Sequence, residues 1–205
     1  MIVIVDYHTC NIGSIRNMLS RLDVEVRVAQ DSSAIIDAEK IILPGIGSFD
    51  AGMAHLEKMD LIEPLTSKAL KDRVPILGIC LGAQLMLDGS EEGERRGLGW
   101  IPGRAKKFNF AAGDATLKVP HMGWNHVAPK VGHPLFKSYV KSPRFYFVHS
   151  YYMECPQQDN VIGSTSYGIN FASAIGKDNI FGVQFHPEKS HHFGMQLLKN
   201  FVEVQ

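Results

Sequence analysis

Four short runs dominated by Val, Ile and Leu, at Ile2–Val5 and at residues 24–28, 40–43 and 76–79, alternate with stretches of helical spacing. Residues 14–22 bring Ile15, Met18, Leu19 and Leu22 to one side of a helix, and residues 49–59 and 61–71 are patterned alike. Strands separated by such helices are joined by crossovers, which make neighbouring strands parallel. Runs this continuous in branched apolar residues need cover on both faces. The pattern therefore predicts an α/β fold, a mostly parallel doubly wound sheet with helices on both faces. Ligands of such sheets bind at the carboxyl ends of the strands.

After Leu87 the sequence becomes rich in Gly and turn residues, with brief strand candidates at 106–108, 145–148 and 180–185. This half is expected to add antiparallel strands, closed by a helix over 193–202 whose Met195, Leu198 and Phe201 pack on the sheet. A chain of 205 residues with 45% hydrophobic and 20% charged residues suits one large domain spanning 1–205. A formal net charge of +0 supplies no overall field for nucleic acid or an anionic membrane, so partners must be recognised locally. The opening apolar run has no basic segment ahead of it and is too short for a signal peptide or membrane span. Three cysteines, Cys10, Cys80 and Cys155, cannot all pair and lack the spacing of a disulfide framework, which points to a reducing cytoplasm.

One cysteine sits in a telling place. In PILGICLGAQLML a buried strand runs straight into a helix, with Gly78, Cys80 and Gly82 at the junction as G-x-C-x-G. The serine version is a nucleophile elbow, a strained strand-to-helix turn that lifts the nucleophile above the sheet while glycines permit close backbone approach. The helix N-terminus favours a thiolate, and the Leu81 N–H can stabilise an oxyanion. A free cysteine alone is more often a small buried hydrophobe; two glycines at these offsets shift the balance towards chemistry.

A nucleophile needs a base, and the base an orienting group. The strand candidate at 180–185 delivers FHPEKS, so His186 and Glu188 would emerge beside the elbow at the same edge of the sheet. An H-x-E pair can also ligate metal, but no third and fourth ligands stand at a recognisable spacing, and His191 and His192 read as a surface pair at a helix start. No metal and no cofactor are expected.

Together LPGIGSF, GICLGAQ and GVQFHPEKS resemble the triad-type, or class I, glutamine amidotransferases. Within that family DYHTCNIGSI, PHMGWN and YFVHSYY are similar to the glutaminase subunits of imidazole glycerol phosphate synthases, over nearly the whole length. The resemblance implies that Cys80 attacks the glutamine carboxamide to form a thioester, that His186 passes the proton to ammonia, and that Glu188 orients His186. It also implies an oxyanion loop at Pro44, Gly45, Ile46 and Gly47 working with Leu81. Substrate contacts would come from Gly45, Gln84, Glu92 and the backbone of His149, Ser150 and Tyr151. Ammonia would pass to a barrel-shaped cyclase, in a heterodimer forming imidazole glycerol phosphate and AICAR in histidine biosynthesis, with Asn11, Trp124, Tyr146 and Lys189 at the interface or channel mouth. The first motif departs from the family's glycine-rich DYGxGN, placing His8 and Cys10 beside the channel. Three rivals stand beside this reading. One is a paralogue feeding a cell-surface sugar amidation pathway, another a catalytically silent scaffolding subunit, and the third a cysteine peptidase, against which Gln84 and Glu92 speak.

Overall fold

The computed structural model describes residues 1–8, 11–110, 117–139 and 142–204. Cys10 lies outside the described residues. The first half is a run of strand–helix units: β1 (Ile2–Val5), α1 (Ile12–Ser20), β2 (Val26–Ala29), α2 (Ser33–Ile36), β3 (Lys40–Gly45), α3 (Phe49–Lys58), α4 (Ile62–Leu70), β4 (Ile76–Cys80) and α5 (Leu81–Leu85). The second half contributes β5 (Gly89–Ser90), β6 (Arg104–Lys107), β7 (His121–His126), β8 (Ala128–Pro129), β9 (Arg144–His149), β10 (Tyr151–Glu154), β11 (Val161–Tyr167), β12 (Ile169–Lys177), β13 (Ile180–Val183) and α6 (His191–Val202).

The main sheet runs in the order β2-β1-β3-β4-β13-β12-β10-β6-β5, with β11 and β8 attached beside β12. Strands β2, β1, β3, β4 and β13 are mutually parallel, while β12 and β10 follow antiparallel. The expected fold class holds. Alternation along the strands divides the core into two faces. Val3, Val5, Ile41 and Leu43 pack with Met53, Leu56 and Leu65 of α3 and α4. Ile2, Ile4, Ile42 and Leu77 pack with Ile15 and Leu19 of α1 and Leu197, Leu198 and Phe201 of α6. Both faces are therefore covered, as the unbroken apolar runs require.

Several boundaries differ from the sequence expectation. The strand expected at 24–28 lies at Val26–Ala29, because its register pairs Val26 with Ile2 and Ala29 with Val5, while the Val24 N–H turns back to the Leu19 carbonyl. The helix expected at 14–22 begins at Ile12 and ends at Ser20. The strand expected over 180–185 stops at Val183, the last residue paired with β4; the chain bends at Gln184 and Phe185, which brings the Gln184 side chain to Cys80 while Phe185 stays in the core. The hairpin of β11 and β12 was not expected as such. Its strands carry Gly, Ser, Thr and Asn in place of a continuous apolar run, and a buried Thr165–Ser173 hydroxyl contact at 2.7 Å replaces part of the apolar packing between them.

Candidate active site

Cys80 ends β4 and starts α5 with φ 54° and ψ −111°, a strained conformation for any residue with a side chain. Two glycines make the turn possible. A Cβ at Gly82 would collide with the Leu43 carbonyl, and one at Gly78 would stand 2.7 Å from Ala83 Cα. The sequence motif is thus an elbow in three dimensions.

Cys80 opens onto a cavity of about 340 Å³. Of the residues singled out from sequence, Ile46, Gly47, Leu81, Gln84, Glu92, His149, Ser150, Tyr151 and His186 share its wall. Gly45 lies below, at the end of β3 opposite Cys80 and tight against Tyr7 and Leu81. Gly47 has φ 105°, a conformation natural only to glycine, and Ile46 beside it is half exposed.

His186 stands at the carboxyl end of β13, beside β4. Its Nδ1 is 2.7 Å from Glu188 Oε1, and both side chains are almost fully buried. Its Nε2 has no hydrogen-bond partner. Burial alone would lower the imidazole pKa, but the neighbouring Cys80 thiol and the Glu188 carboxylate together raise it to about 9. The two observations fit a thiol close to Nε2 but outside hydrogen-bond geometry, an arrangement that substrate commonly tightens.

Ser190, which sequence reasoning missed, locks this loop. Its hydroxyl donates to the His186 carbonyl at 2.6 Å and accepts the Tyr146 N–H at 3.0 Å, while the His186 N–H donates to the Tyr146 carbonyl at 2.9 Å. A serine directly before the start of α6, where a helix cap is expected, was its one sequence signal.

The rest of the cavity is polar and ordered. Gln84 Nε2 donates to the Tyr151 carbonyl and to Gln184 Oε1, each at 3.0 Å, and Gln184 Nε2 lies 3.8 Å from Cys80 Sγ. Glu92 accepts the Phe49 N–H at 2.8 Å, so its carboxylate sits at the positive end of α3. Behind the wall, His121 Nδ1 and His149 Nε2 are 3.0 Å apart, and His149 Nδ1 is 2.7 Å from the Tyr151 carbonyl.

Burial drives both of these imidazoles to the neutral form, lowering His121 to about 4 and His149 to about 3. Both values lie below the ordinary 6.5, so the unfolded chain binds more protons as the pH falls from there. Their contribution to stability is complete above pH 6.5 and is lost on the way down, through about 4 for His121 and about 3 for His149. Urea unfolding across this range is expected to show a stability slope of up to ~1.4 kcal/mol per pH unit for each imidazole. His121→Phe, which keeps the ring stack on Phe147, should flatten that slope. A variant with the wild-type slope would exclude His121 as a source.

Away from the cavity, Trp124 and Tyr146 pair across β7 and β9 with ring centroids 6.4 Å apart, and Lys189 Nζ stands 5.9 Å from the Tyr146 ring. His191 stacks on Trp124 at 5.5 Å, Met122 is exposed on the same strand, and Asn11 is exposed just before α1. Cys155 is buried, and burial, with Asp88 and Glu154 adding, pushes its thiol up to about 11. Among the described residues no three His, Cys, Asp or Glu side chains gather as a metal site, and no helix is long and apolar enough to cross a membrane.

This geometry has close kin. Residues 3–204 match the family model described as glutamine amidotransferase class-I. The chain belongs to that family. It is 46% identical to the imidazole glycerol phosphate synthase subunit HisH 2 of Methanococcus maripaludis, over 99% of each chain. It is 48% identical to the protein of the same name from Pseudomonas aeruginosa, over the full length of both. Among solved structures, a glutamine amidotransferase superposes with TM-score 0.76 at 14% identity, over 98% of this chain and 97% of that one, a likeness of fold.

Proposed function

We propose that this chain is a single-domain glutaminase that hydrolyses glutamine on Cys80 and hands the ammonia to the cyclase of an imidazole glycerol phosphate synthase in the cytoplasm. The observation that carries the reading is the placing of Cys80, on a strained elbow, in one cavity with His186, whose ring is held by Glu188. Full-length similarity to subunits named for that synthase supports the pathway.

The chemistry proceeds in two halves. Cys80 sulfur attacks the carboxamide carbon while the thiol proton resides on His186; the C–N bond then breaks as Nε2 returns that proton to the departing nitrogen, leaving ammonia and a thioester. Water attacks the thioester, its proton passes to His186, and the C–S bond breaks to release glutamate and restore the thiol. The oxyanion formed in each half is met by the Leu81 N–H and by a donor from the Ile46–Gly47 peptide. The substrate's amino acid end lies against Gln84, Glu92 and the backbone of Ser150 and Tyr151. The surface bearing Asn11, Trp124, Tyr146 and Lys189 receives the cyclase, in a heterodimer that protects ammonia from protonation in bulk water and leads on to imidazole glycerol phosphate and AICAR.

The pathway test is glutamate release on mixing the chain with a histidine-pathway cyclase or with a nucleotide-sugar amidating synthase. Stimulation by the cyclase alone is expected; stimulation by the sugar enzyme alone would move the chain to the other pathway. Within the triad, Glu188→Gln should lower turnover less than His186→Ala, because the amide keeps one contact to the ring. An equal or larger loss in steady-state assays would mean that Glu188 does more than orient.

A further inference from the structure

We infer that Asn125, His121 and His149 act as one hydrogen-bonded unit that, through the Tyr151 carbonyl, fixes the orientation of the Gln84 carboxamide, making both histidines positioning residues of the glutaminase site. The inference rests on the glutaminase reading above. Its hydrogen positions follow from the contacts alone.

The Tyr151 carbonyl can only accept, so His149 Nδ1, 2.7 Å away, carries a hydrogen. A neutral imidazole has one N–H, which leaves His149 Nε2 as an acceptor and makes His121 Nδ1, at 3.0 Å, the donor to it. The same tautomer follows independently from the other end. The Asn125 amide is oriented by donating to the Ser166 carbonyl at 3.0 Å and accepting the His126 N–H at 2.7 Å. Its nitrogen therefore faces His121 Nε2 at 3.2 Å, and that atom must present a lone pair. Both ends demand one polarity, and burial keeps both rings neutral, as it requires.

The unit then sets the pocket. The Tyr151 carbonyl takes His149 on one side and Gln84 on the other. Gln84 spends both amide hydrogens on Tyr151 and Gln184, which leaves its carbonyl oxygen as the group free to accept from substrate. Gln184 is oriented in turn, with its nitrogen towards Cys80 Sγ. Among the described residues the titratable groups in hydrogen-bond or ring contact with His121 are His149 from β9 and the Tyr167 ring from β11, stacked at 4.0 Å; Phe108, Phe147 and Phe171 also contact its ring. Among the described residues no carboxylate or cationic side chain is in hydrogen-bond or ring contact with it.

The test is Asn125→Asp in the complex with the cyclase, assayed for glutamate release from pH 8.5 to 6. The substitution puts an oxygen where His121 Nε2 expects a donor. At high pH two lone pairs then face each other; when His121, whose pKa the new carboxylate raises, takes a second proton it donates to both neighbours and the polarity of the ring pair is restored, while the lost donation to the Ser166 carbonyl stays the same at every pH. The expected kcat/KM is about tenfold or more below wild type at pH 8.5, mainly through KM, with the gap closing as the pH falls towards 6. Asn125→Ala should show a smaller loss that pH does not restore. A strand merely loosened by either change would lose activity equally at every pH, so a constant ratio of N125D to wild type, or no loss, overturns the inference. Should N125D fail to fold, the Asn125→Ala, His149→Phe double-mutant cycle decides, since among the described residues no hydrogen bond joins these two side chains directly and only a single unit makes their losses non-additive. Absence of glutaminase activity in the wild-type complex would instead overturn the function proposed above.

Discussion

Cys80→Ala is expected to lower glutamine hydrolysis by the cyclase-bound chain by more than about a thousandfold, with the fold and the partner interface intact. The magnitude follows from the loss of a covalent route, since removing the nucleophile of a triad costs about as much as removing all of its members. The fold survives because alanine keeps the Cβ that the elbow already accommodates, and the side chains that answer to the sulfur among the described residues are site residues, Gln184 at 3.8 Å and His186, not core ones. Circular dichroism and co-purification with the cyclase check the second half of the expectation. Turnover within tenfold of wild type would remove Cys80 from the mechanism.

The isolated chain, in turn, is expected to turn over glutamine ~10² to 10³ more slowly than the complex with bound synthase ligand. The loop after β3 has room to turn: Gly47 adopts φ 105°, and a Cβ there would meet nothing within 4 Å. A peptide so free can turn its carbonyl into the site, leaving Leu81 as the one backbone donor, and the loss of one oxyanion donor costs a factor of this size. A partner that binds the productive state more tightly shifts the loop towards it, and glutamine is spared until an acceptor is ready. Steady-state glutamate production by the chain alone, by the complex, and by the liganded complex measures the effect. Equal rates for the first and third would show an ungated glutaminase.

How much of this was legible in the sequence depends on whether local chemistry or distant partners decide a feature. The elbow was legible because Gly78, Cys80 and Gly82 encode it within five residues, and Ile2–Val5 was placed at its true bounds because a buried central strand has nothing but apolar residues to offer. Where the neighbouring strand decides, the reading slipped: β2 starts at Val26 because β1 is its partner, and β13 ends where its pairing with β4 ends. Gln184 was hidden for that reason. Within 180–185 it reads as one polar residue in an apolar strand, and only the bend after Val183 turns it towards Cys80. His121 and Asn125 lay in plain sight in PHMGWN, yet their roles come from His149 and Ser166, distant in sequence, and no spacing rule joins them.

The most direct measurement is the labelling of the full-length chain, in its complex, with an electrophilic glutamine analogue, mapped by peptide mass spectrometry with and without competing glutamine. Modification at Cys80 that glutamine suppresses, with Cys155 untouched because burial holds its thiol up to about 11, is the expected result. Equal modification of Cys80 and Cys155, or labelling of Cys80 that glutamine does not slow, would contradict the assignment of this cavity as a glutamine site.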